Sequence, residues 1–223
     1  MLAPKISIKG SHFDSSDGSI SATNLETVVV GANPRVSKTW YSEEWTEERE
    51  SNTPDCYSLD GVEPSEGSKS PQNDLCASCP QNAWGSRTTS LGVKVKACAD
   101  QKRLALVLAD EPDGEVYLLQ VAPASLKNLN AYQKELSMRG IVPEIARTKI
   151  SFEQNTAYPK LRFSFGGFNS ELAQVSIDKL IGTDEVRIIT GELAVHKGHT
   201  SSAEYHGFTE EDGYITTQNL LGD

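Results

Sequence analysis

Hydrophobic positions in this chain fall in short alternating runs separated by polar stretches, a spacing that favours strands over long helices. Residues 27–30 are β-branched or Val throughout and bounded by Gly31 and Pro34, and residues 35–41 alternate, so both predict strands. Residues 92–98 alternate strictly, residues 104–108 are continuously apolar, and residues 116–121 follow the turn signal Asp113-Gly114. A short strand is also expected at residues 5–8, inside a Ser-, Gly- and Asp-rich opening that reads as a loosely held arm over 1–24. Helical spacing occurs twice. Ser125 is a good cap for a helix to about Met138, with Leu126, Leu129, Tyr132 and Leu136 on one stripe and Gly140 as its stop. Residues 170–181 predict a second helix through Leu172, Val175, Leu180 and Ile181, ended by Gly182. Residues 145–152 and 160–165 read as a strand pair, and 186–189 and 192–195 as the last strands.

One stretch breaks the pattern. Residues 42–73 are rich in Glu, Ser, Pro and Gly with scarcely any aliphatic side chain, too polar to bury and too long for an ordinary connection. Such a segment needs something other than a hydrophobic core to hold it. Seven or eight short strands with two helices among them lack the regular alternation of a parallel doubly wound sheet. The expected fold class is therefore α+β, mainly β, with an OB-like, partly open barrel as the architecture that tolerates inserted helices and long rim loops. This gives a β-rich domain over 25–208, an insertion at about 42–100, and an acidic tail over 209–223.

Composition agrees with a compact core carrying large polar loops: 37% of residues are hydrophobic and 23% charged. The net charge of −10 excludes a strongly basic nucleic-acid binder taken whole, but the deficit sits at the two ends of the chain. Arg87, Lys94, Lys96, Lys102 and Arg103 face only Asp100 in the same short stretch, and Trp40, Tyr41 and Trp84 lie nearby in sequence. Positive charge with stacking aromatics is what single-stranded nucleic acid needs, and it does not require a net-basic protein. The bland reading is that Trp84 and Tyr57 pack over the metal loop while Lys94 and Lys96, at alternate positions, form one solvated strand face.

All four cysteines fall in or beside the polar insertion, as Cys56, Cys76, Cys79 and Cys98. Cys76-Ala77-Ser78-Cys79 is a metal knuckle: two intervening residues let both sulfurs reach one ion at about 2.3 Å, and the outer pair completes a tetrahedral set. Structural Zn2+ is the expected occupant. An iron–sulfur cluster uses the same four ligands, and two disulfides or four idle thiols are the other readings. A catalytic zinc is disfavoured because four thiolates leave no open position for water.

Nothing in the sequence supports catalysis. His12, His196, His199 and His206 lie away from the cysteines, the acidic run Glu43, Glu44, Glu47, Glu48 and Glu50 reads as a solvated face, and the phosphate-loop, nucleophile-elbow and zincin motifs are absent. No run is long and apolar enough for a membrane helix and the first residues lack a signal-peptide core, so a cytoplasmic protein with no membrane partner is expected.

The residues around the cysteines carry a resemblance: Pro54-Asp55-Cys56 with Ser58 and Asp60-Gly61, then Cys76-Ala77-Ser78-Cys79-Pro80 with Trp84-Gly85-Ser86, then Lys96-Ala97-Cys98 and Arg103-Leu104-Ala105, with a weaker match at Tyr158-Pro159-Lys160-Leu161-Arg162-Phe163. This pattern is similar to a group of uncharacterised four-cysteine proteins of tailed bacteriophages associated with replication and recombination. It implies a metal-bearing phage protein. The expected function is non-catalytic single-stranded DNA binding in phage replication or recombination, with the acidic C-terminus, similar in character to the tails of phage single-strand binding proteins, meeting replication or recombination proteins. The alternative is a protein-interaction or host-factor inhibitor module with a structural zinc loop.

Overall fold

The computed structural model describes residues 3–43, 53–89 and 92–193. It is mixed α+β and mainly β, and the chain divides into two compact units. A sheet unit comprises Met1–Pro34 and Arg103–Asp223, and a cysteine unit comprises Arg35–Lys102.

The sheet unit is built on β1 (Lys5–Lys9), β2 (His12–Ser15), β3 (Ser21–Ala22), β4 (Leu25–Ala32), the C-terminal part of β9 (Ala99–Leu108), β10 (Tyr117–Val121), β11 (Ala146–Phe152) and β12 (Leu161–Phe168). They follow the order β12-β11-β4-β9-β10-β1-β2-β3 in a curled half-barrel. Its helices are α1 (Pro123–Met138), α2 (Glu171–Leu180) and α3 (Asp184–Thr190). The apolar run at 104–108 has a simple cause. Leu104 and Leu106 enter a cluster with Phe13, Leu119, Leu129, Tyr132, Leu136 and Ile150, whereas Ala105 and Val107 enter another with Val28, Val30, Ile177, Val186 and Ile189. Successive side chains of this strand are thus buried on both faces of the sheet, against α1 on one side and α2 and α3 on the other.

Several expectations need correction here. Residues 1–24 do not form a loose arm: β1 pairs in parallel with β10 and antiparallel with β2, and Ile6, Phe13 and Ile20 are buried. Helix α1 begins earlier than expected, with Pro123 at its start and Ala122 as its cap, and the Ser125 hydroxyl, inside its first turn, accepts the Leu161 N–H at 2.9 Å. Residues 186–189 are helical, not a strand. Thr183 caps α3 by accepting the Val186 N–H, Asp184 and Glu185 occupy its first turn, and Gly191 ends it in the left-handed conformation at φ 86°. Of the stripe predicted for the second helix, Leu180 packs inward as expected, with Ala173 and Ile177 beside it, whereas Leu172, Val175 and Ile181 are exposed. Residues 194 and 195 of the expected strand 192–195, and the whole tail 209–223, lie outside the described residues.

The cysteine unit has a different character. Its strands are β5 (Ser37–Trp40), β6 (Cys56–Ser58), the start of β9, and the small pair β7 (Arg87–Thr88) and β8 (Lys94–Val95). β5 pairs antiparallel with β6 and with Ala99–Gln101 of β9. Cys76, Ala97 and Cys98 are the buried hydrophobic residues among those described in this unit. Loops are tied instead by polar contacts: the Ser58 hydroxyl joins Asp60 to the Gly61 N–H, and the Ser68 hydroxyl accepts from the Tyr57 N–H and donates to its carbonyl. The expectation that residues 42–73 lack an apolar core holds for the residues described.

Candidate functional site

Local pairing brings the four cysteines to one place. Cys56 opens β6 opposite Trp40, so its side chain shares a face with Trp40, with Lys38 two residues before it, and with Ser58, the partner of Lys38. Cys76 and Cys79 flank a turn in which the Cys79 N–H donates to the Cys76 carbonyl at 3.3 Å, and the 3₁₀ turn Pro80–Asn82 follows. The Cys76 N–H donates to the Val62 carbonyl at 2.7 Å. The Cys98 N–H donates to the Gln81 carbonyl at 2.8 Å, which ties the last cysteine to the segment just after the knuckle. All four side chains line one cavity of about 10 Å³, together with Lys38, Trp40 and Ser58. The thiols are free, so the two-disulfide reading does not describe this structure.

The cavity is electrostatically unsettled. Burial pushes the Cys98 thiol up to about 12; Lys38 opposes that rise and Cys76, Cys79 and Asp100 add to it. Burial also raises Cys76, against a hydrogen bond from Ser58 and the charge of Lys38. A protonated thiol is a poor metal ligand, and a cation would reverse this balance. No group of three or more His, Cys, Asp or Glu side chains among the described residues is assembled as a metal-binding set. The cavity lining supplies four thiols and no carboxylate, the donor type that zinc takes in structural sites.

Lys38 was not singled out by the sequence. Its Nζ donates to Asp100 Oδ1 at 2.6 Å and to Asn82 Oδ1 at 3.0 Å, while Asn82 Nδ2 donates to the Cys76 carbonyl at 3.0 Å. Lys96 Nζ reaches Asp100 Oδ2 at 3.1 Å. The only available signal was register: Lys38 alternates with Trp40 along one strand, and its cavity-facing position follows once Trp40 is known to oppose Cys56.

The residues proposed for nucleic acid are dispersed by the same geometry. Trp84 is 74% exposed and Lys94 is exposed, and the Lys94 Cδ lies 3.6 Å from where a Cβ on Gly85 would stand. Arg87 opposes Val95 and Lys94 opposes Thr88, which places Arg87 and Lys94 on opposite faces of the β7–β8 pair. Arg87 also donates to the Tyr41 carbonyl at 2.6 Å. Trp40 lines the cysteine cavity, and Tyr41 is half-buried. Lys96 is paired with Asp100, and Lys102 is buried. Arg103 belongs to the sheet unit, where it is buried and donates through Nε and Nη2 to the Ile189 carbonyl at 3.0 and 2.7 Å, binding the last turn of α3. Burial lowers its pKa to about 10. Arg103 is thus a packing residue, and the continuous basic surface expected over 87–103 is not formed.

The sheet unit also holds an open groove of about 480 Å³ lined by Asn128, Tyr132, Glu135, Phe152, Arg162 and Phe163. Comparison with protein-family models, curated proteins and solved structures finds no match to this chain. No helix among the described residues is long and apolar enough to cross a membrane.

Proposed function

We propose that this chain is a non-catalytic single-stranded DNA-binding protein whose cysteine unit is held by one zinc ion on Cys56, Cys76, Cys79 and Cys98. The observation that carries the binding reading is Trp84, a large aromatic left 74% exposed, whose chain neighbour Gly85 lies beside the stem of the exposed Lys94. A base stacked on it would contribute about 1–3 kcal/mol, and Lys94 supplies the phosphate contact. Arg87 adds charge on the opposite face of the β7–β8 pair, whereas Lys96, Lys102 and Arg103 drop out of the contact set because their side chains are paired or buried. The resemblance to four-cysteine phage proteins supports placing this activity in replication or recombination, in the host cytoplasm. Under the same reading the curled sheet is the OB-like, partly open barrel, supported by its curl; its eight-strand path is longer than the five strands of that barrel.

Titrating the full chain with an oligothymidylate at about 50 and 300 mM salt, read by tryptophan quenching, tests the proposal. Binding that weakens as salt rises, and that falls about 10-fold or more in Trp84→Ala, is the expected result. No binding at the lower salt overturns it. A protein-interaction module then takes its place, a reading favoured by the exposed side chains of Phe168 (58%), Leu172 (85%) and Val175 (57%) around the start of α2.

A further inference from the structure

We infer that the cysteine centre is mononuclear and that Lys38 is its built-in counter-charge; this rests on the metal reading above. Three observations in the cysteine unit carry it. The space shared by the four cysteines is about 10 Å³, which is of the order of one water-sized sphere. A single ion can settle there by drawing the sulfurs inward. A four-iron core with its bridging sulfides would have to push apart the backbone bonds that fix the ligands, from Cys76 to Val62, from Cys98 to Gln81, and across β5 and β6.

The second observation is charge. Four thiolates on one divalent ion make a centre of charge −2, and the Asp100 carboxylate stands 2.6 Å from Lys38 Nζ beside it. Lys38 lines the same cavity as the four cysteines. Its side chain is 11% exposed.

The third observation is that Lys38 is held in position. Asp100 and Asn82 fix its Nζ, Lys96 occupies the other oxygen of Asp100, and Asn82 in turn holds the Cys76 carbonyl. Partners of this kind in the outer shell of a metal site are worth about 10–100-fold in affinity. Lys38 is a positioning and charge-compensating residue here, not a ligand.

The test is zinc affinity of the full-length chain by competition with a chromophoric chelator, for the wild type, Lys38→Met, Lys38→Arg and Asp100→Asn. One zinc per chain is expected, weakened about 10–100-fold in Lys38→Met and restored to within about 3-fold in Lys38→Arg. Asp100→Asn separates charge from scaffolding: it removes a negative charge and should leave zinc binding unchanged or tighter. If Asp100→Asn weakens zinc as much as Lys38→Met does, or if Lys38→Met binds zinc like the wild type, the Lys38 assignment is overturned while the metal reading stands. Reconstitution with iron and sulfide under anaerobic conditions that loads two or more irons per chain overturns the mononuclear assignment. Wild-type protein that binds no zinc overturns the metal reading itself and this inference with it.

Discussion

The sheet unit and the cysteine unit answer the same problem, how to fix a polypeptide in one conformation, by different means. The sheet unit removes apolar side chains from water on both faces of its strands, with Phe13, Leu106, Leu119 and Ile150 wholly buried. Burial of this kind stabilises by about 25 cal/mol per Å² and is spread over many residues, so no single contact decides the fold. The cysteine unit buries two cysteines and an alanine, and fills its interior with hydroxyls, amides and the Lys38–Asp100 pair. Polar contacts of that sort contribute only about 0.5–1.5 kcal/mol each, and on the proposed reading a zinc ion in the cysteine cavity supplies the rest. All three tryptophans, Trp40, Trp45 and Trp84, fall within Arg35–Lys102. Tryptophan emission therefore reports on one unit alone, and most of the far-ultraviolet circular dichroism comes from the other.

On the proposed zinc reading, the comparison breaks most directly when the metal is removed. Structural zinc contributes on the order of 10–16 kcal/mol in small domains, more than the polar contacts of this unit can replace. Chelation, or Cys98→Ser, is expected to shift tryptophan emission to the red while leaving the cooperative melt seen by circular dichroism in place. Unchanged emission after complete metal removal would mean that the polar network suffices by itself.

A core truncation should do the reverse. Leu106→Ala opens a cavity in the sheet unit among Leu119, Ile150 and their neighbours, at a cost of about 2–5 kcal/mol and a melting temperature lower by roughly 5–15 °C. Tryptophan emission below the melt should not move, and zinc should bind as before. Coupled loss of both signals would show that the two units fold as one.

Two glycines sharpen the contrast at smaller cost. A Cβ on Gly31 would run into Val186 Cγ1, a side chain on α3 that can shift slightly. A Cβ on Gly61 would meet the Val36 carbonyl, and Gly61 also sits at φ +75°, where other residues are strained. Gly31→Ala should lower the stability of the sheet unit by about 1–3 kcal/mol. Gly61→Ala should weaken zinc binding with little change in the main melt, because neither the backbone nor the carbonyl can give way. Equal effects of the two substitutions on the main melt would contradict the separation.

What the sequence revealed and what it hid follow from the same physics. Strong periodicity was legible: α1 carries Leu129, Tyr132 and Leu136 inward as its stripe predicts, and β4, β10, β11 and β12 lie close to their expected positions. The α3 helix was missed because Val186, Ile188 and Ile189 are β-branched and outweighed the signals at its ends, Thr183 with Asp184 and Glu185 before it and Gly191 after it. For α2, the predicted stripe of Leu172, Val175, Leu180 and Ile181 shares Leu180 with the buried face of Ala173, Ile177 and Leu180, and only the position of the sheet chose between them. The cysteine spacing pointed to one place in the fold, and the cavity brings all four there. The basic cluster failed as a surface because sequence proximity says nothing about which face a strand residue takes. Lys102 and Arg103 lie on a strand that is buried along most of its length, and Arg87 and Lys94 are separated by the pairing register.

The smallest effect is expected at the pair of lysines that share Asp100. Lys38 is close and sheltered, at 2.6 Å and 11% side-chain exposure, whereas Lys96 stands at 3.1 Å with 34% exposed. Burial opposes ionisation of Asp100, but hydrogen bonds and charge from Lys38 and Lys96 outweigh it and hold the carboxyl below its ordinary value of 3.8. Lys96→Met leaves Asp100 still paired with Lys38, so the loss should be no more than about 1 kcal/mol at neutral pH and should shrink further with added salt. The sign of its pH dependence is fixed by linkage. A carboxyl with a depressed folded-state pKa contributes stability above its unfolded value and loses it as pH falls through the folded value. The difference between wild type and Lys96→Met, measured by tryptophan emission in urea on the zinc-loaded protein, should therefore hold from pH 7 to about 5 and narrow below pH 4. A difference that stays constant or widens on acidification would place the contribution of Lys96 in the packing of its methylene stem, not in its charge.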